Sequence, residues 1–419
     1  IAEGLLAPYE DETVPPDMLE MSLARIRQLS AHEVGHTLGF AHNFAASTQD
    51  RASVMDFPFP LLRVDDNGEL DLSDAYGVGI GAWDKRAVLY AYQDFPDGKD
   101  SAVERRRIME ETIAAGYKFV ADSDSRSVST SHPDGNLWDN GSDAVLELEK
   151  LLRVRDIAIK RFSERTIRMG RPLATIEEVL VPIYLLHRYQ VEAVGKLIGG
   201  QHFDYALRGD TQRTARAVSR EQQVRALTAL VSTLRPERLQ LPQDLVELIT
   251  PRVPNNPKTR ETFAGATGIN FDPLAPAASS VAITLRVLLD PARAARMTRG
   301  REPGFETVLT QLLDASWYQK PVSGTEGAIH RQTNMQVLHG LLGFAFDADV
   351  DNEVRALALD AVQELDRWLH KRSSRDAAYR AHYGLARFEI ERLMKEPALI
   401  ETLVPFAVPP GSPIGSLSR

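Results

Sequence analysis

The chain has 419 residues, 43% of them hydrophobic and 26% charged, with a formal net charge of −9 and a pI near 5.7. This composition belongs to a soluble, globular protein long enough for two or three domains, and its acidic balance argues against general attraction to nucleic acid or anionic membrane. Cysteine is absent, which excludes disulfides, thiolate metal sites and cysteine nucleophiles, so any metal must be held by His, Asp or Glu.

The chain starts at Ile1 rather than at a methionine, so the N-terminus is expected to be processed or cut, with any signal peptide out of view. The first helix follows Pro15 and Pro16, with Asp17 as a cap and Glu20 placed three residues on as in a capping box. Leu19, Leu23 and Ile26 recur at helical spacing, and the pattern runs to Leu38 before Gly39 offers a stop. Residues 45–81 change to short apolar pieces and turn residues: SVMDFPFP at 53–60, then DDNGEL at 65–70, whose Asn67-Gly68 suits a hairpin. Another helix is predicted from Trp83-Asp84, carrying Ala87, Val88 and Tyr90 or Ala91.

Residues 94–143 are rich in Asp, Ser, Gly and Pro, and TSHPDGNLWDNGSD at 130–143 reads as loop. The division expected is therefore 1–95, a 96–144 connector, a helical region over 145–400, and a disordered tail over 401–419 that ends VPPGSPIGSLSR. Capping boxes are predicted at Thr175 with Glu178 and at Ser219 with Gln222. The first opens a run that ends at Gly199-Gly200 and is kinked by Pro182. Val354, Leu357, Ala361, Leu365 and Leu369 form a further helical stripe. No strand and no fixed repeat is read in this half. Its longest uncharged apolar stretches, such as LAPAASSVAITL at 274–285, fall well short of the ~20 residues a membrane span needs.

Three of the ten histidines stand in AHEVGHTLGFAHNF, 31–44. His32 and His36, four apart on a helix, lie about 40° apart around its axis and one turn along it, so both imidazoles can face one ion. Glu33 can reach a water on that ion without ligating it, the place of a general base in metal-assisted hydrolysis. Gly39 permits a positive-φ departure that returns His42 as a third ligand. Three neutral nitrogens leave a tetrahedral position open, the mark of a catalytic rather than a structural zinc site. A bare HExxH arises by chance or on a solvated helix face; Gly39 and His42 make that reading far rarer.

HEVGHTLGFAH, followed by Met55 in SVMDF, resembles the metzincin signature HExxHxxGxxH with its Met-turn. By that resemblance Met55 lies beneath the three imidazoles, whereas a methionine in an apolar turn is otherwise an ordinary core filler. With the helix AWDKRAVLYAY and the long helical C-terminal region, the pattern is similar to a bacterial family, the Met-zincin domain. The specific motifs span residues 32–57. The resemblance implies a mainly α fold, in which a truncated metzincin-like zinc-helix and Met-turn subdomain precedes a large all-helical region. It also implies an exported, periplasmic or extracellular, zinc-dependent peptidase.

Two departures stand out. Some metzincins carry a tyrosine two residues after the methionine; here that position is Phe57, so oxyanion stabilisation must come from the metal and other groups. Metzincins also place a sheet before the zinc helix, with an edge strand that aligns substrate. Only 31 residues precede His32, so the upper half of the cleft is expected to lie outside this chain and to associate with it.

Weaker candidates are the acids of DDNGELDLSD, 65–74, and the pair Asp122 and Asp124, each a possible calcium ligand set but more simply a solvated hairpin or loop. His132, His187, His202, His330, His339, His370 and His382 are scattered, as surface or satisfied core histidines are. No GxSxG, P-loop or dinucleotide fingerprint is present. The reading is a zinc metallopeptidase, most simply an endopeptidase acting on peptide or protein, with His32, His36 and His42 as ligands and Glu33 as general base. Two rivals use the same residues: a zinc-stapled helical binding module without turnover, and a zinc hydrolase acting on a non-peptide bond.

Overall fold

The computed structural model describes residues 1–9, 16–210, 212, 214–300, 302–403 and 406–411. The fold is mainly helical. Helix α1 (Ala2–Leu6) is followed by the long α2 (Pro16–Thr37), a two-stranded hairpin of β1 (Arg63–Val64) and β2 (Leu70–Asp71), then α3 (Ala82–Tyr92) and α4 (Ser101–Ala114). After a loop-rich stretch come α5 (Ala144–Arg161), α6 (Ile176–Tyr184) and α7 (Arg188–Gly195). A second two-stranded pair, β3 (Gln201–His202) with β4 (Arg216–Ala217), precedes α8 (Arg220–Ser232), α9 (Pro236–Leu239) and α10 (Gln243–Leu248). The C-terminal helices are α11 (Ala275–Leu288), α12 (Pro291–Met297), α13 (Phe305–Ala315), α14 (Gly324–Phe346), α15 (Asn352–His370) and α16 (Ala377–Lys395).

The main core forms where amphipathic helices pair. α5 buries Leu148, Leu151, Leu152 and Ala158 against α1, α6, α7 and α8, and α14 is flanked by α11, α15 and α16. The stripe on α15 is buried at Val354, Ala361, Leu365 and Leu369 and half-buried at Leu357. One buried apolar cluster runs from Leu5 through Phe59, Leu62, Leu72 and Trp138 to Leu393, so the hairpin and the first helix share a core with the C-terminal helices.

Several local expectations are corrected. α2 starts at Pro16, so Asp17 lies inside its first turn rather than capping it, and Pro15 is outside the described residues. The stripe Leu19, Leu23 and Ile26 is 43–58% exposed, while Gln28, His32 and Gly35 are buried instead. Helical spacing identifies the helix, but which face is covered depends on what packs there. Ser219 and Gln222 form their capping box, whereas the Thr175 hydroxyl donates to the Pro172 carbonyl and caps nothing. Pro182 lies within α6, and the expected run to Gly199 is broken between Tyr184 and Arg188. The pair β3 and β4 was not anticipated, because two-residue strands carry no alternation to read. Of the tail expected to be disordered, Pro409 and Pro410 accept hydrogen bonds from the buried Arg188, and Gly411 N–H donates to Glu261; residues 412–419 lie outside the described residues. Among the described residues no helix is long and apolar enough to cross a membrane.

Candidate metal centre

His32 and His36 occupy the last turns of α2, and Gly39 adopts φ +84°, a left-handed conformation that a side chain would strain. The Gly39 N–H returns to the His36 carbonyl and the Phe40 N–H to the Gly35 carbonyl, which closes the helix and reverses the chain. His42 is thereby carried back beside the helix. Its ring centroid lies 5.2 Å from that of His32 and 4.7 Å from that of His36.

Each imidazole is oriented through Nδ1. His32 Nδ1 is 2.7 Å from the Val54 carbonyl, His36 Nδ1 is 2.9 Å from the Phe40 carbonyl, and His42 Nδ1 is 2.9–3.0 Å from both oxygens of Asp122. A carbonyl or carboxylate only accepts, so each Nδ1 carries the proton and each Nε2 presents a lone pair. One ligand nitrogen from each ring lies within 4.8 Å of the other two, and His36 Nε2 is 3.1 Å from His42 Nε2. Two lone pairs at that distance repel unless a proton or cation is shared between them. Tetrahedral zinc with nitrogen ligands at ~2.0–2.1 Å sets them about 3.3 Å apart, so the donor set and its orientation fit such an ion. Burial also holds the His32 imidazolium below the usual histidine range, which keeps the ring neutral and able to ligate.

The turn at Met55 packs against α2 at Gly35. Met55 is 1% exposed, and a Cβ on Gly35 would meet its sulfur at 2.2 Å, so the helix and the turn touch because position 35 has no side chain. Two further residues hold this turn. The Asp84 carboxylate accepts from Val54 N–H (2.8 Å), Gly81 N–H (2.7 Å) and the Ser53 hydroxyl (2.5 Å), so one buried side chain caps α3 and fastens the turn. Asn43 N–H donates to the Met55 carbonyl (3.0 Å), and the Asn43 side chain bonds Val120 N–H and the Lys118 carbonyl. Asn43 therefore links the turn to the segment that carries Asp122.

Asp122 is paired with Arg126 as well as His42. Partial burial raises its carboxyl, but the hydrogen bonds and charges of Arg126 and His42 prevail and hold it below the usual carboxylate range. The Arg126 guanidinium lies 5.2 Å from the Phe57 ring centroid and 5.7 Å from that of Phe44. Phe57 is half-buried, 4.8 Å from the His42 ring and 5.6 Å from the His32 ring, so an apolar ring rather than a phenol stands there. Glu33 is exposed, and no protein group holds its carboxylate among the described residues.

Reading the sequence left out Gly35, Asn43 and Asp84 as site residues, and weighed Asp122 only as a weak calcium candidate, more simply a solvated loop residue, and not as the partner of His42. Asp124 accepts from the Tyr205 hydroxyl (2.7 Å). The acids of 65–74 are engaged within the hairpin or with arginines: Asp65 accepts from Asn67 N–H and Glu69 N–H, and Asp74 pairs Arg51 and Arg63. His132 and His330 are satisfied core histidines, bonded through both ring nitrogens, whereas the buried His187 bonds the Ser280 hydroxyl through Nε2 alone.

The sequence profile of the Met-zincin family matches residues 15–323, nearly three quarters of the chain. The chain belongs to the Met-zincin family. Its match covers the three histidines, the Met55 turn, α3 and the helices through α13, so those helices belong to the family pattern along with the three-histidine segment, while α14, α15 and α16 lie beyond the match. No curated protein and no solved structure matches the chain. Membership implies a metal, typically zinc, and the three-histidine group is where this Met-zincin can hold it.

Proposed function

We propose that the protein is a zinc-dependent metallopeptidase in which His32, His36 and His42 hold the metal and Glu33 is the general base. The observation that carries this reading is the convergence of three Nδ1-anchored imidazoles beside a carboxylate left free of protein partners. Zinc held by those nitrogens supplies Lewis-acid polarisation of a peptide carbonyl and lowers the pKa of water at the site. Glu33 accepts the proton of the attacking water at its carboxylate and returns it to the leaving amine nitrogen. Val54, Phe40 and Asp122 keep the three rings in the ligating tautomer, and Phe57 with Met55, the latter by the family resemblance, gives the site an apolar floor.

Phe57 offers no hydroxyl to the developing oxyanion. The Arg126 guanidinium, 5.2 Å from the Phe57 ring centroid and paired with Asp122, is a cation beside the site that can take that role. The exposed stripe of Leu19, Leu23 and Ile26 on α2 offers an apolar surface for a further element of the cleft, in keeping with the expected association. Export follows from the family resemblance, and peptide or protein is the substrate class proposed.

Glu33→Gln tests the mechanism. Zinc content should stay near that of the parent while peptide turnover falls by several orders of magnitude, read by metal analysis and by mass spectrometry of digests. Undiminished cleavage by the variant would remove Glu33 from the mechanism.

A further inference from the structure

Asp56, next in sequence to Met55, is 5% exposed, and Asp139 is 4% exposed. The two segments run side by side: Trp138 N–H donates to the Phe57 carbonyl at 2.8 Å, and Pro58 bridges to Asp139. Among the described residues neither carboxylate makes an ion pair. Lys196, the nearest cation to bear on Asp139, has its ammonium bound to the Ser125 and Gly135 carbonyls, and Arg51 is bound to Asp74. Asp56 accepts only two backbone N–H groups, from Ser47 (3.0 Å) and Phe57 (2.6 Å).

Both acids line one small cavity, of about 40 Å³, together with Ser47, Asn140, Gln28 and Arg51, whose guanidinium is committed to Asp74. The Ser47 and Asn136 side chains lie near enough to the Asp139 carboxyl to lower it, yet neither the Ser47 hydroxyl oxygen nor Asp139 Oδ1 makes a close hydrogen bond, and Ser47 is itself 6% exposed. Asn140 commits its amide nitrogen to the Phe59 carbonyl, which leaves its amide oxygen as an acceptor. The space exceeds the ~10–15 Å³ that one water needs. Two unpaired carboxylates facing each other in the interior are costly unless something positive joins them, and burial raises both carboxyls, Asp139 to about 7. Oxygen donors alone suit a hard cation and not zinc.

We propose that Asp56, Asp139 and the Ser47 hydroxyl form a second cation site, of the calcium type, distinct from the three histidines. Occupied, it ties the turn that carries Met55 to residues 138–140, and so to the helical part of the molecule through Trp138, which belongs to the main apolar cluster. The exposed acids of the hairpin at 65–74 differ, because their oxygens already serve backbone N–H groups and arginines.

Trp138, adjacent to Asp139, is placed to sensitise terbium, a luminescent stand-in for calcium. The experiment uses the whole chain, passed through chelating resin, restored with one equivalent of zinc, and titrated with terbium and then with calcium. Expected are sensitised emission that calcium displaces, a melting temperature that rises saturably with calcium, and at least a tenfold loss of calcium affinity in Asp139→Asn with zinc content unchanged. Ser47→Ala, which removes a neutral donor only, should weaken calcium several-fold and serves if Asp139→Asn fails to fold. The proposal is overturned if calcium neither quenches terbium emission nor shifts the melting temperature, or if Asp139→Asn and Ser47→Ala titrate as the parent does. A parent insensitive to calcium, with an Asp139→Asn variant more stable than it, would show instead that the two acids share a proton. Either failure leaves the three-histidine reading untouched, since zinc is measured separately.

Discussion

At His42 the chemistry depends on a residue 80 positions away, for Asp122 holds the Nδ1 proton that leaves Nε2 free. Asp122→Ala is expected to lower zinc affinity by about 10–100-fold, measured by competition with a chromogenic chelator; an unchanged affinity would mean that the Phe44 and Phe57 rings alone position His42. Gly35 is a second such residue. Met55 is enclosed, so in Gly35→Ala the new methyl must force the sulfur or the helix aside, at a cost of about 1–3 kcal/mol, read from the urea midpoint. The grouping of the three histidines was legible because helical period and a single glycine turn bring them together within eleven residues. Asp122 was not, because its partner is set by the path of a long loop, and no local spacing encodes a contact over that separation. Gly35 stood in plain view inside HEVGH, yet its reason is the sulfur of Met55, which only the packing discloses.

Among the elements, α3 does more than follow the Met55 turn. Its N3 residue Asp84 accepts from the Gly81 N–H at the head of the helix and at the same time from Val54 N–H, while the Val54 carbonyl accepts from His32. A helix N-terminus, the turn and a metal ligand are thus joined through one carboxylate. Asp84→Ala is expected to cost about 2–3 kcal/mol from the lost cap and the unpaired N–H groups, with zinc affinity reduced in parallel as His32 loosens; stability lost without any change in zinc binding would separate the helix cap from the site. Trp83 N–H reaches the Ala52 carbonyl at 2.8 Å, and a Cβ at Gly81 would lie 1.9 Å from that same oxygen, so the close approach of α3 to the turn also requires Gly81. From sequence, the helix at Trp83-Asp84 could be placed by its apolar spacing. The double duty of Asp84 could not, since a carboxylate at N3 reads as a cap and nothing more. On α2 the limit is of another kind: the spacing of Leu19, Leu23 and Ile26 gives the helix correctly, but these residues face solvent while a histidine, a glutamine and a glycine face inward.

Over the whole molecule, burial of titratable groups on the helical framework sets how stability answers to pH. His187 is 2% exposed, bonded to the Ser280 hydroxyl, and driven down to about 3 by burial and by the charges of Arg155, Arg188 and Arg238. In the unfolded chain a histidine titrates near 6.5. Between those two values the unfolded state holds a proton that the folded state lacks, so this contribution is complete above about pH 6.5 and is lost as the pH falls towards 3. The slope is at most about 1.4 kcal/mol per pH unit. His382, lowered to about 4, acts in the same sense. With no cation bound, Asp139 acts in the opposite one: its carboxyl, raised to about 7 by burial, keeps a proton that the unfolded chain has released above the ordinary carboxylate range, so its contribution is present at low pH and is lost as the pH rises through 7. Because the two effects overlap between pH 4 and 7, the parent's curve alone does not separate them, whereas a difference between two proteins does. His187→Asn removes one titrating group and leaves the others in place. Urea midpoints measured from pH 7 to pH 4 should fall more steeply for the parent than for His187→Asn, with the gap opening below about pH 6.5; parallel curves would mean that His187 gains its proton in the folded state and is not held neutral by burial.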